Sequence, residues 1–430
     1  MRRELGRRLL WLSLGSLIGR LLPYAMLIWL GRQLDSPAFA TVGVAFAWSA
    51  VSASLTTGGL AIVAAQQLAA INNPGEARAL IRRIAAIGVC LSILLVAVVL
   101  LVGADRVVGV FGRTIDAGAV APSLFSGATW SLVMLAVAVL NGMHAPKQAA
   151  SVLSFGGALQ GMGLALGYWA GHGQLSEILW GLAFGNASAL ALALRRLSSL
   201  PTLHDHRIHY LPHAPAMRLG PAVAWATLAA ACVTPVTFAA GAIISHGPDG
   251  ALQLARFHAL EQLHQLATYI PNVLAVALLP VLSRETLKDG GLSMRSAVKV
   301  SWLMVGVGSA LVLVLAWDPT WLHRLVGNPA LNDPLATRGM LMHVALFPSL
   351  SVLGSAILAR GEFASATLLN VAWAIVLLGF TWVYRQEGAV AVQMARLVAS
   401  GLLLVALSIL LWIAGGQPTT VRDQPRGLSD

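Results

Sequence analysis

The sequence has little charge for its length. Of its 430 residues, 10% are Asp, Glu, Lys or Arg, whereas 57% are hydrophobic. A soluble domain carries about 25% charged residues, and single soluble cores stop growing at about 250–300 residues. A water-exposed surface cannot be built from this composition, so the lipid bilayer is the solvent that fits the chain.

Cysteine and the common catalytic motifs are also scarce or absent. The two cysteines, Cys90 and Cys232, lie far apart in apolar segments, which excludes a disulfide framework. There is no glycine-rich Walker loop, which excludes direct ATP drive by this chain, and no G-x-S-x-G nucleophile motif. The net charge of +11 is spread over short loops, so nucleic acid is not a predicted partner. We predict no enzyme activity, no cofactor and no metal site.

Long apolar stretches dominate the sequence. A helix needs about 20 apolar residues to cross the hydrocarbon core, and a β-barrel would need short alternating strands instead. We therefore predict an all-α, polytopic integral membrane protein of about twelve transmembrane helices. The predicted spans are 9–31, 38–65, 84–103, 118–142, 148–170, 175–194, 220–244, 257–281, 298–317, 337–358, 363–384 and 389–413.

Lys and Arg are concentrated in alternate loops, beginning with the N-terminal MRRELGRR. Because cytoplasmic loops carry the excess of basic residues, this asymmetry predicts cytoplasmic N- and C-termini. Arg20 and Pro23 interrupt the first apolar run and no small-residue cleavage site follows it. The run is therefore predicted to be a retained span rather than a signal peptide.

The chain repeats itself weakly. GRQLDSPAFA after the first span corresponds to ISHGPDGALQ after the seventh, and Pro23 and Pro235 occupy matching places in those two spans. Two halves of equal orientation predict a pseudo-two-fold axis along the membrane normal, with a binding site between the halves. The predicted divisions are an N-terminal six-helix half (1–200), a cytoplasmic linker (201–218), a C-terminal six-helix half (219–415) and a disordered cytoplasmic tail (416–430).

Arg20 lies in the middle of the first span, LSLGSLIGRLLPYAMLIWLG. A charge at that depth costs at least about 2.5–3.5 kcal/mol unless it meets water or a partner. One interpretation is a structural arginine that pairs with a neighbouring helix or extends to the interface. The other is a cavity cation that binds an anionic substrate. A helix break at Pro23, matched at Pro235, favours the second, because broken helices line cavities.

The eighth span, ARFHALEQLHQLATYIPNVLAVALLPVLSR, is the least lipid-like. Its polar side chains recur at helical spacing and form one stripe, which should face the bundle interior or a water-filled cavity. The stripe is either hydrogen-bonding glue between helices or a site that responds to protons or ions. Because Glu and His exchange protons, the coupling candidates are Glu261, His258 and His264. No third well-spaced ligand or thiol indicates a metal.

Two further arginines are candidate cavity cations. Arg256 lies at the mouth of the polar stripe, and Arg396 lies in span twelve beside Gln393. Arg396 has a second interpretation, as a residue that extends its guanidinium to the outer interface. The histidines of 204–213 are able to bind metal adventitiously, but their place in the linker favours a solvated loop.

Several short motifs accompany this pattern. GRQLDSPAFA follows the first span, and the small-residue turns Asn141-Gly142 and Arg360-Gly361 follow spans four and ten. Span eight is the densest in motif residues: Ala255, Gln262, Leu263, Pro280 and Leu282-Ser283-Arg284. With twelve spans in two halves, the chain resembles the multidrug/oligosaccharidyl-lipid/polysaccharide (MOP) exporter superfamily over nearly its whole length.

The resemblance is to the polysaccharide flippase branch of the O-antigen type, whose cationic cavities suit Arg20, Arg256 and Arg396. It implies a bacterial inner-membrane flippase that translocates an undecaprenyl-pyrophosphate-linked oligosaccharide by alternating access. The implied partners are the lipid-linked glycan, membrane lipids and a polysaccharide polymerase or export complex.

Two alternatives stay open. A cation-coupled multidrug or metabolite antiporter of the same superfamily commonly has a carboxylate in span one, where this chain has Arg20 and neither Asp nor Glu. A membrane glycosyltransferase or ligase usually needs a large outer loop with acidic residues. The longest predicted outer loop, 318–336, offers only Asp318 and Asp333.

Overall fold

The computed structural model describes residues 2–71, 73–112, 114–143, 145–199, 219–268, 292–317, 327–359 and 362–414. Within these ranges all regular structure is helical, which confirms the all-α fold class. Several predicted features lie outside the described residues: the linker 201–218 with its histidines, the tail 416–430 and residues 269–281 of predicted span eight.

The helices are numbered in chain order. They are α1 (Arg2–Gln33), α2 (Ser36–Ala53), α3 (Gly59–Ala70), α4 (Pro74–Val102), α5 (Ala104–Val110), α6 (Val120–Gly142), α7 (Pro146–Ala170), α8 (Leu175–Ser198), α9 (Leu219–Ala231), α10 (Thr234–Ile244), α11 (Gly250–Ala267), α12 (Leu292–Trp317), α13 (Pro334–Ala359), α14 (Phe363–Val383) and α15 (Ala389–Ala414). A π-helical turn, Ser54–Gly58, joins α2 to α3.

Nine helical segments in the described ranges are long and apolar enough to cross a membrane, judged by length and composition. Each overlaps a predicted span. The other three predicted spans overlap α1, α11 and α12, of which α11 carries the polar stripe. The chain is therefore a multi-pass membrane protein, and half of the residues of its polar helix α11 are buried.

Local sequence determines where several helices begin. The Asp35 carboxylate accepts a hydrogen bond from the Ala38 amide at 3.0 Å and caps α2. Asn73 caps α4 in the same way through the Gly75 amide, at 2.9 Å. Proline stands in the first turn of both helices, where its missing N–H costs no hydrogen bond.

Glycines bring α1, α7 and α8 into close contact. Gly19 of α1 lies against the Leu153 backbone, and Gly157 of α7 lies against the Gly19 backbone. Gly163 of α7 and Gly181 of α8 face each other so closely that a Cβ on either would overlap the other's carbonyl oxygen. Because glycine has no side chain, these helix backbones approach each other closely, and such packing drives helix association in lipid.

A buried polar network also joins the helices of the N-terminal half. The Gln160 amide donates to Asn186 Oδ1 at 3.0 Å, and Asn186 Nδ2 donates to Ser126 Oγ at 2.7 Å. Ser126 Oγ in turn lies 2.9 Å from Ser49 Oγ. The four side chains come from α7, α8, α6 and α2 and are all buried. In hydrocarbon surroundings such bonds hold helices in register.

Helix contacts recur between the two parts of the chain. α1 packs on α7 as the α9–α10 span packs on α14, and α7 packs on α8 as α14 packs on α15. The α6–α8 and α4–α6 pairs likewise have counterparts in α13–α15 and α12–α13. Each pair is repeated six spans later, as two related halves require. The boundaries proposed for those halves stay a prediction.

The two proline positions differ in effect. Span seven is interrupted at Cys232–Val233, and Pro235 stands in the first turn of α10. α1 instead runs without interruption through Pro23, so the predicted break in span one is wrong. Close packing of Gly161 against Leu22 and the Pro23 nitrogen supports the backbone there, as neighbouring helices do for proline in lipid. α11 begins at Gly250, seven residues before the predicted start of span eight.

Candidate functional site

An ion pair lies inside the C-terminal half. Arg396 of α15 donates from Nη2 to Glu261 Oε2 of α11 at 2.6 Å, with 3% of the Arg396 side chain and 16% of the Glu261 side chain exposed. Arg396 Nη1 is buried and has no hydrogen-bond partner in the described part of the chain. Arg396 is therefore neither a cation extended to the interface nor an isolated cavity cation, because its charge is matched by Glu261.

Hydrogen bonds continue from this pair to the N-terminal half. Gln265 Nε2 donates to Glu261 Oε1 at 3.3 Å, and the Tyr24 hydroxyl of α1 donates to Gln265 Oε1 at 2.5 Å. Arg20, one turn before Tyr24, is half-buried, and both Arg20 and Glu261 lie within electrostatic range of the Tyr24 hydroxyl. Arg20 and Glu261 thus belong to one group of side chains that crosses the boundary between the halves.

A chain of hydrogen bonds that begins at His264, beside Glu261, extends through the C-terminal half. His264 Nδ1 lies 3.9 Å from Glu261 Oε1, and His264 Nε2 lies 2.8 Å from His343 Nδ1 of α13. His343 Nε2 lies 3.0 Å from Ser400 Oγ of α15, to which the Trp373 indole N–H of α14 donates at 3.1 Å. Both imidazoles are buried, and their rings are stacked with centroids 4.8 Å apart.

We call this assembly the central polar cluster. Among its described members two guanidinium groups accompany one carboxylate, so their summed formal charge is positive when both histidines are neutral. The members of the cluster are Arg20, Tyr24, Glu261, His264, Gln265, His343, Trp373, Arg396 and Ser400.

His258 takes a different place from the other predicted coupling residues. Its ring packs against Gly43 of α2 and lies 5.1 Å from the Phe257 ring, centroid to centroid. Its Nε2 is buried without a hydrogen-bond partner among the residues that the structure describes. His258 lies within electrostatic range of Glu261, but no hydrogen bond joins the two.

Arg256 lies outside the cluster. Its Nε donates to the Ala330 carbonyl at 3.0 Å, and its Nη1 lies 3.9 Å from Asp333 Oδ2. Five residues of helix separate it from Glu261, a rise of about 7.5 Å. The prediction that Arg256 lines the cavity together with Arg20 and Arg396 is therefore wrong, since the structure places it in a loop contact.

The loops after the first, third, seventh, ninth and eleventh spans meet at one end of the bundle, which we call the first-loop end. Asn328 Nδ2 donates to the Gly31 carbonyl of α1 at 2.7 Å. His246 Nε2 lies 3.0 Å from the Val110 carbonyl. Both contacts join the two halves, so the halves are held together at this end. At the opposite end α3 contacts α9, where Ser54 Oγ donates to the Ala230 carbonyl at 2.8 Å.

Sequence reasoning missed several members of the cluster. His343 is the single polar residue in MLMHVALFP. Ser400 follows Gln393 and Arg396 at helical spacings of three and four residues, but that short stripe was not singled out. An isolated histidine in a predicted span is the one signal that could have identified His343.

Comparisons with solved structures agree with this architecture. An inward-facing multidrug resistance MATE family transporter of the MOP superfamily superposes with a TM-score of 0.71 at 13% identity, covering 94% of this chain and 98% of that one. The chain has the MOP transporter fold. The outward-facing conformation of such a transporter gives a TM-score of 0.62 at 15% identity, covering 95% of this chain and 94% of that one.

A further similar structure is a MOP superfamily transporter from Pyrococcus furiosus, with a TM-score of 0.67, 14% identity and coverage of 95% and 96% of the two chains. For that protein, the reverse polarity of the binding pocket suggests a different function. No protein-family model and no curated protein matches the sequence. The likeness lies in the fold, and the polarity of the site has to be judged from this chain's own residues.

Proposed function

We propose that this protein is a transporter that works by alternating access and translocates a lipid-linked oligosaccharide with an anionic phosphate linkage. The observation that carries the proposal is the central polar cluster, which has a positive formal charge and spans the boundary between the halves. A site between two halves is exposed to either side when one half rocks against the other.

The charge of the cluster favours an anionic substrate. Arg396 is matched by Glu261, and Arg20 adds a second guanidinium to the same cluster from α1. A guanidinium presents a planar set of donors that suits two phosphate oxygens at once. Arg20 is half-buried, whereas Arg396 is almost fully buried. Arg20 is thus the better placed of the two to contact a large headgroup, while the lipid tail stays in the bilayer.

The contacts between the halves support alternating access. Both Asn328–Gly31 and His246–Val110 join the halves at the first-loop end. The loop-charge rule makes the first-loop end the outer one, and substrate would enter from the opposite, cytoplasmic side.

The test is translocation of a lipid-linked oligosaccharide pyrophosphate by purified protein in proteoliposomes. We expect Arg20→Ala to reduce the rate at least tenfold and Arg20→Lys, which keeps the charge, to retain most of it. Arg106→Gln removes an exposed arginine and serves as the matched control. Equal rates for the wild type and Arg20→Ala would refute the role of Arg20. An inactive wild type would refute the substrate class.

A cation-coupled multidrug antiporter is the second candidate. Glu261, a largely buried carboxylate beside the boundary between the halves, favours it, as do the multidrug transporters among the similar structures. Proton-driven efflux of a cationic dye that is lost in Glu261→Gln and unchanged in Arg20→Ala would establish the antiporter and exclude the flippase. Efflux that is absent in all variants would favour the flippase.

We further propose a bacterial inner-membrane location with both termini in the cytoplasm, and a polysaccharide polymerase or export complex as partner. The basic N-terminus MRRELGRR and the basic alternate loops support this orientation. Reporter fusions at each terminus test it. A periplasmic signal from either terminus would overturn it.

A further inference from the structure

In the hydrogen bonds around His264 and His343, the donor and the acceptor can be assigned from the atoms that take part. The Trp373 indole can only donate, so Ser400 Oγ accepts from it. The Ser400 hydroxyl still has one hydrogen to donate, and among the described residues one further partner lies within hydrogen-bond distance, His343 Nε2 at 3.0 Å. His343 Nε2 therefore accepts that hydrogen and carries none of its own.

The direction then passes to the second imidazole. A neutral imidazole has one N–H and one bare nitrogen. With Nε2 bare, His343 carries its hydrogen on Nδ1 and donates it to His264 Nε2 at 2.8 Å. His264 Nε2 is consequently the acceptor, and the hydrogen of His264 is on Nδ1. That atom faces Glu261 Oε1 at 3.9 Å.

The opposite direction is unfavourable at the serine end. It would leave the Ser400 hydrogen without an acceptor among the described residues, and a buried donor without an acceptor is costly. At the other end His264 lies within electrostatic range of charges of both signs, Glu261 and Arg396, so the direction is set by Ser400.

We propose that Ser400 and His343 fix His264 as the tautomer that carries its hydrogen on Nδ1 and directs it at Glu261. His343 is thus a positioning residue for the carboxylate that pairs with Arg396. The N–H dipole and the Arg396 guanidinium stabilise the same carboxylate from two helices, α11 and α15. The bearing of this arrangement on transport rests on the proposed function, whereas the tautomer itself does not.

The charged and titratable groups around His264 come from several helices. α11 contributes Glu261, α13 contributes His343, and α15 contributes Arg396. α1 reaches the same carboxylate through Tyr24 and Gln265. Phe347 covers one edge of both rings. His264 Nδ1 is buried and has no hydrogen-bond partner among the described residues, and Glu261 Oε1 lies 3.9 Å from it.

The test is solid-state nitrogen NMR of the full-length protein in lipid bilayers, with histidine labelled at both ring nitrogens. The His264 signals are those lost in His264→Gln. We expect a protonated Nδ1 and a bare Nε2 in the wild type. A protonated Nε2, alone or together with Nδ1, would overturn the proposal. The measurement needs no substrate, so failure of the flippase hypothesis cannot be mistaken for failure of this one.

Two variants test the role of Ser400. Ser400→Ala removes the hydroxyl hydrogen that sets the direction, and we expect the second His264 tautomer to appear beside the first. Trp373→Phe removes a donor to the same oxygen but leaves the hydroxyl hydrogen, so His264 should keep its tautomer. An unchanged His264 spectrum in Ser400→Ala would refute the positioning role, as would a change in Trp373→Phe of equal size. In the translocation assay we expect Ser400→Ala to lower the rate roughly two- to tenfold, the effect of one hydrogen bond.

Discussion

The Glu261–Arg396 pair makes a prediction about stability that does not depend on the substrate. Replacing either residue alone by glutamine leaves the other charge in the protein interior without its partner. Replacing both leaves two neutral amide side chains that can hydrogen-bond to each other. The three variants, Glu261→Gln, Arg396→Gln and the double variant, therefore form a thermodynamic cycle that isolates the interaction.

The burial of the pair determines the expected magnitude. Breaking a buried ion pair by removing one partner costs about 3–5 kcal/mol. Because 16% of the Glu261 side chain is exposed, water can partly solvate the remaining charge, and we expect about 3 kcal/mol for each single variant. The double variant should cost less than the sum of the two single variants by about 2–3 kcal/mol.

The assay is reversible unfolding of the purified protein in mixed detergent micelles, followed by the fluorescence of its 13 tryptophans. Arg106→Gln removes an exposed arginine and should change the free energy of unfolding by no more than about 0.5 kcal/mol. A single variant that costs less than 1 kcal/mol would show that the pair is solvated or not formed. Additive effects of the two replacements would show that the two charges do not interact.

Three further predictions concern the fold and its movement. Cysteines placed at Gly31 and Asn328, in a variant without the native cysteines, should stop transport when a short reversible thiol cross-linker joins them, because the cross-link holds the halves together. Reduction should restore transport, and transport at the full rate with the cross-link in place would contradict the closure. Gly163→Val should lower the free energy of unfolding by at least about 1–3 kcal/mol, because its Cβ would overlap a backbone oxygen of α8; Gly379→Ala, with nothing within 4 Å, should raise it by up to about 1 kcal/mol. Asn186→Leu should cost about 1–3 kcal/mol in the same measurement by leaving buried partners unsatisfied, and no change would mean that the network contributes nothing.

Much of the architecture was predictable because hydropathy is local. A run of about 20 apolar residues excludes water from its backbone wherever it lies in the chain, so the number and order of the spans follow from the sequence. Helix starts at Asp35 and Asn73 are local for the same reason, since the capping side chain and the capped amide are two or three residues apart. Prediction was weaker for helix breaks and helix starts, as Pro23 inside the uninterrupted α1 and the start of α11 at Gly250 show.

The site was predictable only in part. The stripe on α11 indicated a polar interior, and Glu261 and His264, which it named, lie in the central polar cluster; their role in coupling stays a prediction. The stripe could not indicate Arg396 as the partner of Glu261, because the two are 135 residues apart in the chain and meet only when α11 and α15 are placed side by side. His343 gave a weaker signal still, since it is polar alone among apolar neighbours.

The sequence by itself determined that this chain is an all-helical membrane protein with a few polar residues at depths where lipid rejects them. Tertiary structure alone decided what those residues do. It placed Arg256 on a loop carbonyl and turned Arg396 from an apparent free cation into the partner of Glu261. It also added His343 to the site. The physical reason is that the type of residue sets the cost of burying its charge. Which partner offsets that cost depends on how the neighbouring helices are rotated and aligned against it.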